Sequence, residues 1–187
     1  MNLILFGPPG AGKGTQAKYL VKKLKSFQIS TGDMLRNEIQ KDSEIGKMII
    51  RDMNEGKFVN DEIVNKLIEK VIFDNTNKNK LIFDGYPRSI SQAKNLDLLL
   101  NKSNQRIDFV FFLNVNKDTI IKRIEKRKIL EKRLDDDLIT IIKRYDTYME
   151  TTRPVLDFYS KNPNFYEIDG SLEINEITAK IDAFLNV

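Results

Sequence analysis

The stretch Gly7-Pro8-Pro9-Gly10-Ala11-Gly12-Lys13-Gly14-Thr15 restricts the possible folds more than any other part of the chain. It follows Asn2-Leu3-Ile4-Leu5-Phe6, an apolar run long enough for one buried strand and too short for a helix. From Lys13 onward Ala17, Leu20, Val21 and Leu24 recur at the three-to-four spacing of an amphipathic helix. Strand, glycine loop and helix in that order, with Gly7, four residues, then Gly12-Lys13, match a phosphate-binding loop. The glycines let backbone N–H groups turn toward an oxyanion, the helix start adds its positive dipole end, and Lys13 reaches outer phosphates as a point charge. The usual pattern puts Ser or Thr directly after the lysine to hold magnesium; here Gly14 stands there and Thr15 follows, so the metal must be gripped from elsewhere. A glycine turn that binds nothing is the competing reading, and the flanking strand and helix count against it.

The rest of the chain alternates apolar runs with helical patterns. Strands are predicted at Phe27-Gln28-Ile29, at Lys80 to Gly85, at Phe109 to Leu113 and at Asn164 to Ile168. Between them, Ser30 or Thr31 caps a helix through Met34, Leu35 and Ile39, and a second runs from Ile45 to Met53 and ends at Glu55-Gly56. Asn60 or Asp61 opens a helix carrying Ile63, Val64, Leu67, Ile68 and Val71. Further helices span Ser89 to Leu100, with Ile90 on the apolar face, and the segment through Ile120, Ile121 and Ile124. Asp135 or Asp136 opens a long helix through Leu138, Ile141, Ile142, Tyr145 and Met149, which Pro154 kinks or restarts, and Glu173 to Leu185 forms the last helix. Strands separated by helices indicate a parallel sheet covered on both faces. The 187 residues suit one domain, with no internal repeat.

Composition removes several classes of chemistry. With neither cysteine nor histidine there is no disulfide, no thiolate zinc site and no imidazole base or ligand. No apolar run approaches membrane-spanning length, and Met1 to Phe6 reads as part of the first strand and not as a secretory signal, so a cytoplasmic protein with no membrane partner is expected. A net charge of +4 could suggest nucleic acid, but the basic residues are interleaved with acids and no basic tract exists, so no nucleic-acid partner is expected. Apolar residues are all used by predicted core faces, which makes a monomer the expectation.

Asp84 falls at the C-terminal end of a predicted strand, where open parallel sheets place their ligands. Beside a phosphate loop an acid there suits magnesium or its waters; the alternative is a turn aspartate, which Gly85 also fits. Arginine is scarcer than lysine, nine against 22, yet Arg123, Arg127, Arg133 and Arg144 cluster in one region and Arg88 follows Asp84 closely. Arg123 and Arg127 share a helix face, and a solvated pair served by Glu125 is the bland reading. Guanidiniums gathered near a phosphate loop are costly unless an anion sits among them, and polyphosphate is such an anion.

At this point the chain resembles the nucleoside-monophosphate kinase family, and within it the adenylate kinases. The match runs nearly end to end through Gly7 to Thr15, Ser30-Thr31-Gly32-Asp33-Met34-Leu35-Arg36, Asp84-Gly85-Tyr86-Pro87-Arg88, Gln92, Arg123 with Arg127, and Arg133-Leu134-Asp135-Asp136 followed by Arg144. The resemblance implies a three-layer α/β phosphate-loop fold with a parallel five-stranded sheet, a helical nucleoside-monophosphate-binding insert over 30–59 and a short lid over 127–133. It implies ATP as donor, on Gly10, Ala11, Gly12, Lys13, Gly14 and Thr15, with Arg123 against the adenine and Arg127 on the phosphates. AMP is implied at Thr31, Arg36, Lys57 to Val59, Gly85 to Arg88 and Gln92, with Arg133 and Arg144 also on its phosphate path. Asp84 is implied to order Mg2+ through its waters. Long-form relatives carry an extended lid where this chain has only Lys128-Ile129-Leu130-Glu131-Lys132, so a lid zinc site is ruled out.

Thr31 and Gln92 bear on the acceptor base. The Gln amide offers one donor and one acceptor, which suits the adenine edge and favours AMP over the pyrimidine acceptors of UMP/CMP kinases, the nearest competitor. The implied reaction needs alignment and charge stabilisation more than a base, because a phosphate is already a nucleophilic anion at neutral pH. Lys13, Arg88, Arg127, Arg133, Arg144 and magnesium are the cations expected to supply it. A GTPase would need a guanine-reading Asn-Lys-x-Asp, and Asn101-Lys102-Ser103-Asn104 ends in Asn after a helix. A kinase acting on an alcohol would need a carboxylate base and would not explain the arginine cluster.

Overall fold

The computed structural model describes residues 1–41, 44–54, 57–131 and 138–186. The apolar runs form one parallel sheet of β1 (Leu3–Phe6), β2 (Phe27–Ser30), β3 (Leu81–Asp84), β4 (Phe109–Asn114) and β5 (Phe165–Asp169), in the order β2-β3-β1-β4-β5. Parallel neighbours cannot be joined by tight turns, so each connection crosses over through helix. These are α1 (Lys13–Leu24), α2 (Thr31–Gln40), α3 (Glu44–Asn54), α4 (Asp61–Ile72), α5 (Ile90–Lys102), α6 (Lys117–Glu131), α7 (Leu138–Thr147), α8 (Arg153–Tyr159) and α9 (Ile174–Leu185).

The period of two along each strand divides the core into two halves. Leu3, Leu5, Ile82, Phe111 and Leu113 face Ala17 and Leu20 of α1, Ile120 and Ile124 of α6, and Ile177 and Ile181 of α9. Ile4, Phe6, Ile29, Phe83, Val110 and Phe112 face Val64 and Ile68 of α4, Ala93 and Leu96 of α5, and Val155 and Leu156 of α8. Helix thus covers both faces, which gives the expected three layers. Side-chain caps fix several of the helix starts. Ser30 Oγ accepts from Asp33 N at 3.3 Å, Asn60 Oδ1 from Glu62 N at 2.7 Å, and Ser89 Oγ from Gln92 N at 3.1 Å.

Several expectations are corrected. Lys80 and Gly85 lie outside β3, because Gly85 turns the chain at φ 78°, a conformation that favours glycine. Pro154, by contrast, meets its expectation and restarts the helix. It sits in the first turn of α8, and the register change is absorbed just before it by a wider turn with i to i+5 bonding over Tyr148–Thr152. Not every apolar residue enters the core: Ile45, Ile90 and Met149, all expected on buried faces, are 47%, 36% and 39% exposed. The expected cap at Glu55-Gly56 and the helix opening at Asp135 or Asp136 lie outside the described residues.

Asn2 also departs from its apolar run. It precedes β1 as a fully buried polar residue that joins three segments. Its Nδ2 donates to Arg106 O at 2.9 Å and its Oδ1 accepts from Leu81 N at 3.1 Å, while its backbone N–H donates to Asp108 Oδ2 at 2.8 Å. Removing the amide leaves the Leu81 N–H buried without a partner. Asn2→Ala should therefore lower unfolding free energy by about 2–3 kcal/mol, read as a reduced urea midpoint at unchanged slope.

Candidate active site

All five strands run in parallel, so their C-terminal ends meet at one edge of the sheet. There the chain leaves β1 toward one side and returns to it from the other: Leu5 is registered with Asp84 of β3 and with Phe111 of β4. Such a reversal of strand order opens a crevice. The loop from Gly7 to Gly12 fills its floor. Ala11 N donates to Pro8 O at 3.1 Å, which closes the loop, and Gly12 at φ 95° precedes α1. No side chain caps α1, and its first turn holds no acid, so its positive end faces the loop.

Lys13 folds back over that loop and donates through Nζ to Gly7 O at 2.8 Å and Pro8 O at 3.0 Å. Burial pulls its pKa down to about 8; Asp84 opposes the shift, while Arg88, Arg144 and Arg127 add to it. Burial likewise pulls Arg88 down to about 10, with Arg144 and Arg36 pushing the same way and Asp84 opposing. The charges of Lys13, Arg88, Arg144, Arg127 and Arg36 are therefore felt within one crevice, with Asp84 the opposing anion. The cleft is bordered by Gly7, Pro9, Lys13, Phe58, Gly85, Pro87, Arg88, Arg144, Tyr148 and Thr152.

One wall of the cleft is built on Gly85. Its carbonyl accepts from Thr31 Oγ1 at 2.8 Å and from Arg88 Nε at 2.7 Å, which joins the start of α2 to the turn after β3. A Cβ on Gly85 would stand 2.9 Å from Arg88 Nη2 and 3.0 Å from Thr31 Oγ1, so the residue is fixed by both conformation and space. Arg88 lies with its guanidinium carbon 5.1 Å from the centre of the Phe58 ring, and its carbonyl accepts from Thr152 Oγ1 at 3.0 Å. Gln92 is only 2% exposed, and its Oε1 accepts from Arg88 N at 2.7 Å while Nε2 donates to Asp61 Oδ1 at 2.6 Å. Val59 is buried and Lys57 exposed. Arg36 folds against Asp33 of its own helix.

Asp84 ends β3 and is held by Gln28, whose Nε2 donates to Oδ2 at 3.0 Å. A Cβ on Gly14 would come within 3.6 Å of the same oxygen, which puts the position after the lysine beside this carboxylate. The observation tests its fit to magnesium: a carboxylate already accepting one bond, beside a phosphate loop, suits an ion that keeps its waters. Among the described residues no group of three acidic, His or Cys side chains is gathered.

Arg123 stands apart from this cluster. Its Nη1 donates to Gly170 O at 2.6 Å and Nη2 to Ser171 O at 3.3 Å, so it ties α6 to the turn after β5 and does not rely on Glu125. Thr15 is exposed on α1, while Gly10 and Ala11 lie in the loop itself, with Ala11 buried. Arg133 and the end of the expected lid lie outside the described residues. Gln28 and Thr152 carry no site signal in the sequence, and Asp61 reads there only as a candidate helix start. Phe58 has one, its place between Lys57 and Val59.

A family model described as adenylate kinase matches residues 5–164. The adenylate kinase of Pelagibacter ubique is 48% identical over 213 aligned positions, covering all of both chains. That alignment is longer than this chain, so the relative carries residues absent here. The adenylate kinase of Hyphomonas neptunium is 43% identical over 185 residues, covering 99% of this chain and 98% of its own, and that of Caulobacter sp. is 42% identical over 187 residues, covering 100% and 99%. With the phosphate loop, the strand-end aspartate and the arginines gathered in one crevice, these matches show that the chain belongs to the adenylate kinase family.

Proposed function

We propose that the chain transfers the γ-phosphoryl group of ATP to AMP, reversibly, giving two ADP. The observation that carries this reading is the placement of Lys13, Arg88 and Arg144 around one cleft above a phosphate loop, where burial and the neighbouring cations pull the pKa values of Lys13 and Arg88 down. A site with that field is complementary to two phosphate chains brought end to end. Family membership and the kinase class agree with it.

In this reading Gly10 to Thr15 and Lys13 hold the β- and γ-phosphates of ATP, and Arg123 borders its adenine. Arg36 and Arg88 hold the AMP phosphate, Thr31, Lys57 to Val59, Gly85 and Gln92 form the rest of its site, and the 30–59 segment and the 127–133 segment act as AMP-binding insert and lid. An oxygen of the AMP phosphate attacks the γ-phosphorus; the new O–P bond forms as the bond to the β-phosphate oxygen breaks, and ADP leaves. Lys13, Arg88, Arg127, Arg133 and Arg144 stabilise the charge on the transferred group, and only contacts that tighten in the transition state raise turnover. Asp84 would hold Mg2+ through water, and the ion supplies charge neutralisation on the donor phosphates. Among the described residues no helix is long and apolar enough to cross a membrane. We read the protein as a cytoplasmic monomer without a nucleic-acid partner.

The direct test is product analysis with Mg-ATP and, separately, AMP, CMP, UMP and GMP. ADP should form from AMP far faster than product forms from the others; preference for CMP or UMP would overturn the choice of acceptor, and no transfer at all would overturn the reaction. Arg88→Lys keeps the charge and loses the planar fork, so turnover should fall roughly 10- to 1,000-fold with unchanged folding. The depressed pKa of Lys13 gives a pH signature in the free enzyme. Below about pH 8 its ammonium is intact, and above it the charge is lost, so the affinity for ATP measured by calorimetry should hold to about pH 8 and then decline.

A further inference from the structure

The Gln92 amide is clamped between two groups of opposite character. Asp61 Oδ1 accepts from its Nε2 at 2.6 Å, and the backbone N–H of Arg88 donates to its Oε1 at 2.7 Å. Ser89 Oγ donates to the other Asp61 oxygen at 3.0 Å, which steadies the carboxylate. An ionised carboxylate can only accept and a backbone N–H can only donate. A rotated amide would therefore set oxygen against carboxylate and N–H against N–H in a buried place. A carboxamide has two donor and two acceptor sites, and the two anchors use one of each. One donor and one acceptor remain, in a fixed order.

We propose that Asp61 is a positioning residue that sets acceptor specificity. It locks the Gln92 amide in the orientation that pairs with a 6-aminopurine and rejects a 6-oxopurine. The inference rests on the reading that Gln92 contacts the acceptor base. Adenine presents a donor at N6 and an acceptor at N1; hypoxanthine presents an acceptor at O6 and a donor at N1, the reverse order on a base of nearly the same shape. Pocket size cannot separate the two. The direction of one amide can, because the mismatched base sets like groups against each other and leaves buried polar atoms unpaired. Asp61 contributes this from the first turn of α4, which keeps its Asn60 cap when Asp61 is changed.

The test is steady-state kinetics of the full chain with Mg-ATP and either AMP or IMP, for the native protein, Asp61→Asn, Asp61→Ala and Gln92→Leu. The asparagine can face either way and the alanine removes the anchor, so both variants should lower the AMP-to-IMP ratio of kcat/KM by about tenfold or more, the range for one charged hydrogen bond. KM for Mg-ATP should stay near the native value. A role confined to packing would depress both acceptors together and leave the ratio in place. A ratio within twofold of native in both Asp61 variants, with Gln92→Leu collapsing it, overturns the inference while leaving Gln92 as the base reader. A ratio that Gln92→Leu also leaves intact overturns both.

Discussion

Leu5 lies opposite Asp84 on one side and Phe111 on the other, and that parallel register is the constraint on which the site depends. Because β1 is central and its neighbours run the same way, the loop that leaves it opens at a reversal of strand order. The loop finds a carboxylate already waiting at the end of β3. Shifting either strand by one residue would turn Leu5 or Asp84 to the opposite face and separate Asp84 from Lys13. The same alternation that divides the core into two halves thus also places the charged groups.

Upon that frame the crevice gathers like charges. Lys13 is turned onto the carbonyls of Gly7 and Pro8, whose dipoles help hold a partly buried ammonium, and Asp84 is the anion that opposes its neighbouring cations. Arg88 is fixed on three sides, by Gly85 O, the Phe58 ring and the Thr152 hydroxyl on its own carbonyl. A guanidinium held this way is oriented before any anion arrives, so little ordering is left for binding. The cost is a field that disfavours the charged forms of Lys13 and Arg88, and a bound polyanion is what relieves it.

Neutral contacts carry as much of the architecture as the charged ones. Gly85 accepts from both Thr31 and Arg88, so one carbonyl joins the turn after β3 to the start of α2. Gln92 joins α4 to α5 through Asp61 and to the Arg88 backbone. Asn2 does the same at the opposite end of the sheet, where it links β1 to β3 and to the segment before β4. Asn2 and Gln92 are buried amides with both donor and acceptor used, which is what makes them directional.

The layered parallel fold is legible in the chain's order, because apolar runs alternating with three-to-four spacing leave few other packings. So are the phosphate loop, whose glycines and lysine are contiguous, and the arginine-rich region, whose members are visible by count. Local signals reach the helix starts near Ser30, Asn60 and Ser89 without choosing Ser30 over Thr31 or Asn60 over Asp61. Pairing across distance comes from the tertiary fold alone. Gln28 on Asp84, Asp61 on Gln92, Phe58 on Arg88 and Arg123 on the turn at Gly170 each join segments far apart in the chain, so no spacing rule reports them. The strand order itself was beyond reach for the same reason: β1 contacts β3 and β4 and not β2, and that choice is made by which faces of which helices pack, not by any residue in β1.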